Sequence, residues 1–427
     1  MTTRQLIDRH QHIQVSFWCA FTAYWSIFIS AVGSQFDIPF FRYSYLVYMA
    51  CVSLVLLTCV LEIGRKGAAL KTNFSVTSGQ DLAASTYITA LLLFTLTLTA
   101  LAPGSSWDFL SYWAMETVSA ISQSHQGDLV EFPFEREKHP WAISGAVASA
   151  LSIGPALGPP GVFWFGLLAA SLACIKAMAS TLELGPTSVL IAFLVFFVPL
   201  VENHHANFGY AEAALALGVN LFVVCTHFAY KFRSFTQFLL AILIALSLTI
   251  IKTSGFIFCL ICLCALALSA LATKIQKHQI VLFLFLGLCV ATIMSTFFLD
   301  GMTLAALKTG TLIRPRSASI LMEVFTQAFV HNSSFSIMAL LFIACVGYLA
   351  PRLDHLTVSS TLLCILCILF ATIAVGVLFT FTEYGFGHSA PDHDTSFSRL
   401  FTVFPGPLAF ILLISLREAS VASVARG

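Results

Sequence analysis

FLLAILIALSLTII, Phe238–Ile251, runs for fourteen residues without a charge. Its Leu, Ile and Ala follow one another with no in–out alternation, which is the pattern of a membrane helix and not of a barrel strand. Four residues, KTSG at Lys252–Gly255, separate it from a second apolar run, FIFCLICLCALALSALA at Phe256–Ala272. ITALLLFTLTLTALA, Ile88–Ala102, reads the same way. The whole chain of 427 residues is 58% hydrophobic and 10% charged and carries 40 Phe, far beyond what one soluble core needs. The expectation is an all-α, polytopic transmembrane helical bundle.

About twelve spans of roughly 15 to 23 residues can be placed, near 15–33, 44–63, 86–103, 161–179, 187–201, 213–229, 235–251, 255–273, 279–298, 335–350, 359–381 and 399–416. WAISGAVASALSIGPAL, 141–157, is small-residue-rich and can be read as a thirteenth span, a re-entrant segment or an interfacial helix. The apolar run after the polar stretch Met1–Gln14 has no small-residue cleavage site, so it reads as a first span and not as a removed signal peptide. With both termini cytoplasmic and 141–157 not crossing, the inner side collects thirteen of the 21 Lys and Arg, and the outer side fourteen of the 20 carboxylates. Three long segments then face outward: 104–160, 299–334 and 382–398. A chain that places its polar residues in loops too long to be connectors is expected to do its chemistry there.

A net charge of +1, with no dense basic run, excludes nucleic acid as a partner. All twelve Cys fall in apolar segments and read as small hydrophobes. The outward segments hold the candidate chemistry. Asp108 follows PGSS in WDFLSYW, Trp107–Trp113, and either caps an interfacial helix or serves as a general base at the headgroup level. Lys138 lies in the charged stretch FEREKHPW, Phe134–Trp141. ENHHANFGYAEAALALG, Glu202–Gly218, brings Glu202, His204, His205, Tyr210 and Glu212 to the end of a span. A helix entry capped near Asn207 accounts for Asn207 and Glu212 but not for Glu202 and the paired His. Polar groups at such a place are costly unless used. Lys252 either snorkels to headgroups or binds a phosphate, and Arg314 and Arg316 have the same two readings with anionic lipid. Asp392, His393 and Asp394 form a triplet that could hold a divalent metal, without committed third and fourth ligands; no metal site is assigned. Arg399 opens the last span, where a planar donor suits a phosphate oxygen.

WDFLSYW, FEREKHPW, NFGYAEAALAL at Asn207–Leu217, KTSG and SFSRLFTVFPGPLAF at Ser396–Phe410 together make the chain resemble the GT-C superfamily of membrane glycosyltransferases. The likeness is to the bacterial relatives of the protein O-mannosyltransferases and the lipid A aminoarabinose transferases. It implies a GT-C-like bundle in a bacterial inner membrane, with interfacial helices in the first long outer loop. It also implies a polyprenyl-phosphate-linked sugar donor, membrane lipids around the site, and transfer of a hexose or pentose to a lipid, glycan or protein acceptor. Asp108 matches the family's catalytic acid of the first outer loop, although Phe109 stands where many relatives have a second acid. Arg399, Lys252 and Lys138 match the basic residues that hold the lipid phosphate. A transporter or flippase is the rival expectation, because intramembrane polar groups also line transport paths. A non-catalytic assembly subunit is a second.

Overall fold

The computed structural model describes residues 3–72, 76–101, 142–154, 160–204, 211–251, 255–272, 333–350, 355–381 and 405–424, with the single positions Gly287 and Thr326. The regular structure among these is entirely helical: α1 (Thr3–Gln35), α2 (Pro39–Arg42), α3 (Ser44–Thr72), α4 (Val76–Leu101), α5 (Ala142–Ile153), α6 (Pro160–Thr181), α7 (Pro186–His204), α8 (Glu212–Phe232), α9 (Phe235–Ile251), α10 (Gly255–Ala272), α11 (Ser333–Leu349), α12 (His355–Phe381) and α13 (Pro405–Val424). Among the described residues five helical stretches are long and apolar enough to cross a membrane: Val15–Ser34, Pro39–Ala68, Val162–Thr181, Glu212–Phe232 and Pro405–Ala422. Shorter apolar helices pack among them. Large apolar side chains also point outward in helical rows, Leu54, Leu57 and Leu61 on α3 and Ile337, Leu340 and Ile343 on α11. Water would penalise such faces and lipid does not, which marks an integral membrane protein.

α8 is the axis of the bundle. Residues 211–230 are all buried, and α8 is walled by α1, α6, α9, α10, α12 and α13. Its partners fix their directions through paired side chains. Phe17 of α1 packs at a tilt on Phe228 near the far end of α8, with ring centroids 5.1 Å apart, and Tyr24 meets Gly218 nearer its start. Tyr230 packs on Phe238 and Gly218 on Leu248, so α8 and α9 form an antiparallel hairpin. At the start of α3 the Tyr48 hydroxyl donates to the Phe163 carbonyl of α6 (2.5 Å); near their ends Lys176 Nζ pairs with Glu62 Oε2 (2.8 Å). These two helices therefore run parallel.

One end of the bundle joins the ends of α3, α6 and α8 to the starts of α4 and α7 through polar contacts. Lys66 of α3 meets Asp81 of α4 at 3.2 Å, and the Thr187 hydroxyl of α7 donates to the same carboxylate at 3.3 Å. Lys231 of α8 donates to the Thr181 carbonyl that ends α6, at 2.6 Å. α4 and α7 thus begin where α3, α6 and α8 end. Leu101, Pro160, His204 and Glu212 accordingly lie at the opposite end, and the chain between α4 and α6 returns to the end from which it left.

Three helices end in the same motif. Among the described residues Asp37, Glu183 and Arg233 are the positive-φ non-glycine residues, at φ 51°, 65° and 51°. Each is followed by an N–H that reaches five residues back, Ile38 to Gly33, Leu184 to Ala179 and Ser234 to Ala229. This is the Schellman closure of α1, α6 and α8, which satisfies carbonyls that the last turn leaves without partners.

α5 differs from its neighbours. Its twelve residues span about 18 Å, well short of a bilayer core of about 30 Å. Ala142–Ala150 are nevertheless all buried. Small residues make this possible: a Cβ at Gly145 would stand 3.0 Å from the Ala31 backbone, and the Ser149 hydroxyl donates to the Ser30 carbonyl at 2.6 Å while meeting the Ser34 hydroxyl at 3.0 Å. Close backbone approach plus hydroxyl bonds is how helices associate where no hydrophobic force distinguishes protein from lipid. α5 is therefore a short helix inserted against the second half of α1.

Several boundaries differ from the expected spans. α3 continues to Thr72 and α4 starts at Val76, because the charged turns around Glu62, Lys66 and Asp81 are held by ion pairs and need no membrane. The last helix is described from Pro405 onward; the stretch 399–404, where the last span was expected to begin, lies outside the described residues. The expected span 279–298 lies outside the described residues, apart from Gly287.

Candidate functional site

Glu212 is the expected site residue whose side chain is described. It opens α8, where a carboxylate complements the positive end of the helix dipole. Ala211 caps the helix with no side-chain bond, its carbonyl accepting from Ala214 and Leu215 at 3.1 Å each. The expected cap at Asn207 is thus replaced by a backbone cap four residues later. Glu212 is 1% exposed. Burial of a carboxylate in the first turn of the central helix is expensive, and it sets this residue apart from an ordinary surface cap.

Glu202 and His204 form the last turn of α7, three and five residues beyond Pro199, which lies inside that helix. Their side chains lie outside the described residues, as do His205 and Tyr210 entirely. Lys252 also lies outside, but its flanks do not. A Cβ at Gly255 would stand 3.2 Å from Leu215 Cδ2, so the start of α10 sits beside the first turn of α8. Asp108, Lys138 and Arg399 fall in 102–141 and 382–404, outside the described residues, and so does the Asp392–Asp394 triplet. The fold therefore brings the Glu202–Glu212 stretch and the KTSG flanks to one end of the bundle.

Two further polar residues of α8 were not singled out in the sequence. Asn220 is fully buried midway along the helix, against Gly406 of α13. His227 is 6% exposed, seven residues further on, with Nδ1 at 2.9 Å from the Ser360 hydroxyl of α12. A separation of seven residues puts both on one helical face. The signal was available: an Asn and a His inside an otherwise apolar run, spaced by two turns. Among the described residues no group of three His, Cys, Asp or Glu side chains could hold a metal ion.

No protein-family model matches the chain, and no curated protein matches it. The class that fold and site define is that of an all-helical membrane protein with a polar end and a central helix carrying buried polar groups.

Proposed function

We propose that the chain is a GT-C-type glycosyltransferase of about twelve spans that moves a sugar from a polyprenyl-phosphate donor to an acceptor at the outer face of a bacterial inner membrane. The end of the bundle that carries the Lys66–Asp81 pair faces the cytoplasm in this reading. The observation that carries it is convergence: the KTSG flanks meet the first turn of α8 through Gly255 and Leu215. The ends of α4, α7 and α9 and the starts of α6, α8 and α10 lie on that same side. The segments that bear Asp108, Lys138, Lys252 and the Glu202–Glu212 stretch all depart from it.

The chemistry follows from the donor. A sugar already joined to phosphate carries its leaving group, so the protein must take a proton from the acceptor hydroxyl and stabilise the departing phosphate. Asp108 accepts the proton. The acceptor oxygen forms its bond to the anomeric carbon as the bond from that carbon to the phosphate oxygen breaks. Arg399, Lys252 and Lys138 receive the charge that develops on the phosphate, a task suited to fixed cations in a partly water-shielded site. Glu202, His204, His205, Tyr210 and Glu212 line the sugar or acceptor pocket.

The test is transfer from a purified polyprenyl-phosphate sugar to a hydroxyl acceptor by the chain in liposomes. Asp108→Asn is expected to lower the rate about 100-fold or more, the range of general-base catalysis. Undiminished transfer by this variant removes Asp108 as base, and no transfer by the wild type rejects the enzyme. A second reading, transport or flipping of a lipid-linked substrate, is favoured by Asn220 and His227, which lie within the central helix and away from its polar start. Movement of the same lipid across the bilayer, without cleavage, would decide for it.

A further inference from the structure

The corner between α8 and α9 lies at the end of the bundle that carries the Lys66–Asp81 pair. The span Glu212–Phe232 stops there, and after Arg233 and Ser234 the chain enters the apolar helix Phe235–Ile251. So short a link between two apolar helices holds the corner at the level where acyl chains give way to headgroups. Lys231, Phe232 and Arg233 are exposed there, as are Phe235 and Thr236, and the two rings keep 47% and 48% of their surface. Ser234 fixes the turn between them. Its N–H donates to the Ala229 carbonyl at 3.1 Å, and its hydroxyl accepts from the Gln237 N–H at 3.4 Å.

The needs of the turn do not explain Arg233. Its φ of 51° is one that glycine adopts without a Cβ penalty. A charged side chain held at such a place points to a use for it. At the matching position that closes α1, the use is visible: Asp37 pairs with Arg42. Other cations are engaged as well, Lys66 by Asp81, Lys176 by Glu62, Arg417 by Glu418 and Lys231 by the Thr181 carbonyl. The exposed Arg233 guanidinium has no acceptor among the described residues. Its surroundings are positive, because Lys231 stands in the last turn of α8, with Nζ 6.0 Å from the Phe232 ring centroid, and α9 begins there with the positive end of its dipole.

We propose that the corner Lys231–Phe235 seats an anionic phospholipid of the leaflet at this end, with its phosphate on Arg233 and its glycerol and upper acyl region against Phe232 and Phe235. The guanidinium fork donates to two phosphate oxygens, and the rings take the apolar part of the same molecule. A zwitterionic lipid fits less well, since its ammonium group would bring a third cation to a corner that already holds two. A free anion leaves both rings in water. The site goes beyond the transferase reading and does not depend on Asp108, because a transporter would sit in the same lipid.

The experiment places the full chain in nanodiscs of equal parts phosphatidylglycerol and phosphatidylcholine, with bromine on the acyl chains of one lipid or the other. Phe235→Trp reports locally through quenching of its fluorescence, after subtraction of the signal of the six native Trp. Brominated phosphatidylglycerol is expected to quench it more than brominated phosphatidylcholine does. Adding Arg233→Gly should lower that preference about fivefold, the share of one basic residue near an anionic surface. Glycine suits the backbone there, so the variant should unfold no earlier than its parent, and loss of preference then reports the side chain and not the fold. Should either variant fail to fold, Phe232→Trp serves as the reporter and Arg233→Asn, which also accepts a left-handed position, removes the charge. Equal quenching by the two lipids, no quenching by either, or a preference that survives the loss of Arg233 overturns the site. Asp108→Asn should lose transfer and keep the lipid preference, so failure of the catalytic reading leaves this one standing.

Discussion

Gly145→Leu tests how α5 is held. A Cβ alone at Gly145 would sit 3.0 Å from both the Cα and the carbonyl oxygen of Ala31, tighter than ordinary contact and against backbone that cannot rotate away. A leucine must therefore drive α5 off α1. That displacement breaks the 2.6 Å bond from Ser149 to the Ser30 carbonyl and the 3.0 Å contact between the Ser149 and Ser34 hydroxyls. Overpacking of a filled core costs about 1–3 kcal/mol. Interhelical hydroxyl bonds in membranes add about 0.6 kcal/mol each, with about 1.7 as the upper end. The sum is about 2–4 kcal/mol of lost stability, read as a shift in the detergent-induced unfolding curve. Gly145→Ala costs less, because alanine recovers up to about 1 kcal/mol of helix propensity while its methyl group asks a few tenths of an ångström of α1. The decisive comparison is a double-mutant cycle with Ser149→Ala. Alone, that change costs about 0.6–1.7 kcal/mol; combined with Gly145→Leu it should cost almost nothing, because the bond is already broken. An equal Ser149→Ala cost in both backgrounds would refute the docking of α5 through these contacts.

Two further expectations rest on single features. Glu62→Gln removes the charge paired with Lys176, 15% exposed within α6, and leaves a neutral amide and the Cys59 sulfur at 3.4 Å beside the ammonium. The loss should be about 1–3 kcal/mol, below that of a fully buried pair, since Glu62 keeps 29% of its side chain exposed; exchanging the two residues, Glu62→Lys with Lys176→Glu, should recover most of it in the same unfolding assay. At Arg233, held at φ 51° by the closure of α8, Arg233→Gly should be about 1–2 kcal/mol more stable than Arg233→Val. Both variants remove the same charge, so the difference in their thermal midpoints isolates the backbone term; equal midpoints would contradict a left-handed position there.

The apolar runs made helices legible wherever composition alone decides the matter. α9, Phe235–Ile251, has the expected limits because Ser234 and the KTSG stretch bracket a run with no charge. α3 and α4 do not, because hydropathy sees only the part of a helix that lipid can hold. Their outer turns are polar, and ion pairs between helices keep them wound. The site was legible to a similar degree. Glu212 was visible as an acid beside an apolar run, but its burial follows from the six helices that surround α8.

Taken by itself, the sequence determined that this is a helical membrane chain, because long uncharged stretches have one low-cost environment and one backbone conformation that satisfies its own hydrogen bonds there. It also determined which residues are chemically conspicuous. Which of them meet was decided by the tertiary structure. Gly255 seats the KTSG flanks beside Leu215, Gly145 lets α5 enter the bundle, and Gly406 sets the start of α13 against Asn220. Each is a contact between segments distant in the chain, fixed by the absence of a side chain at one point and the shape of the partner at another. No local pattern of hydropathy or charge encodes that match.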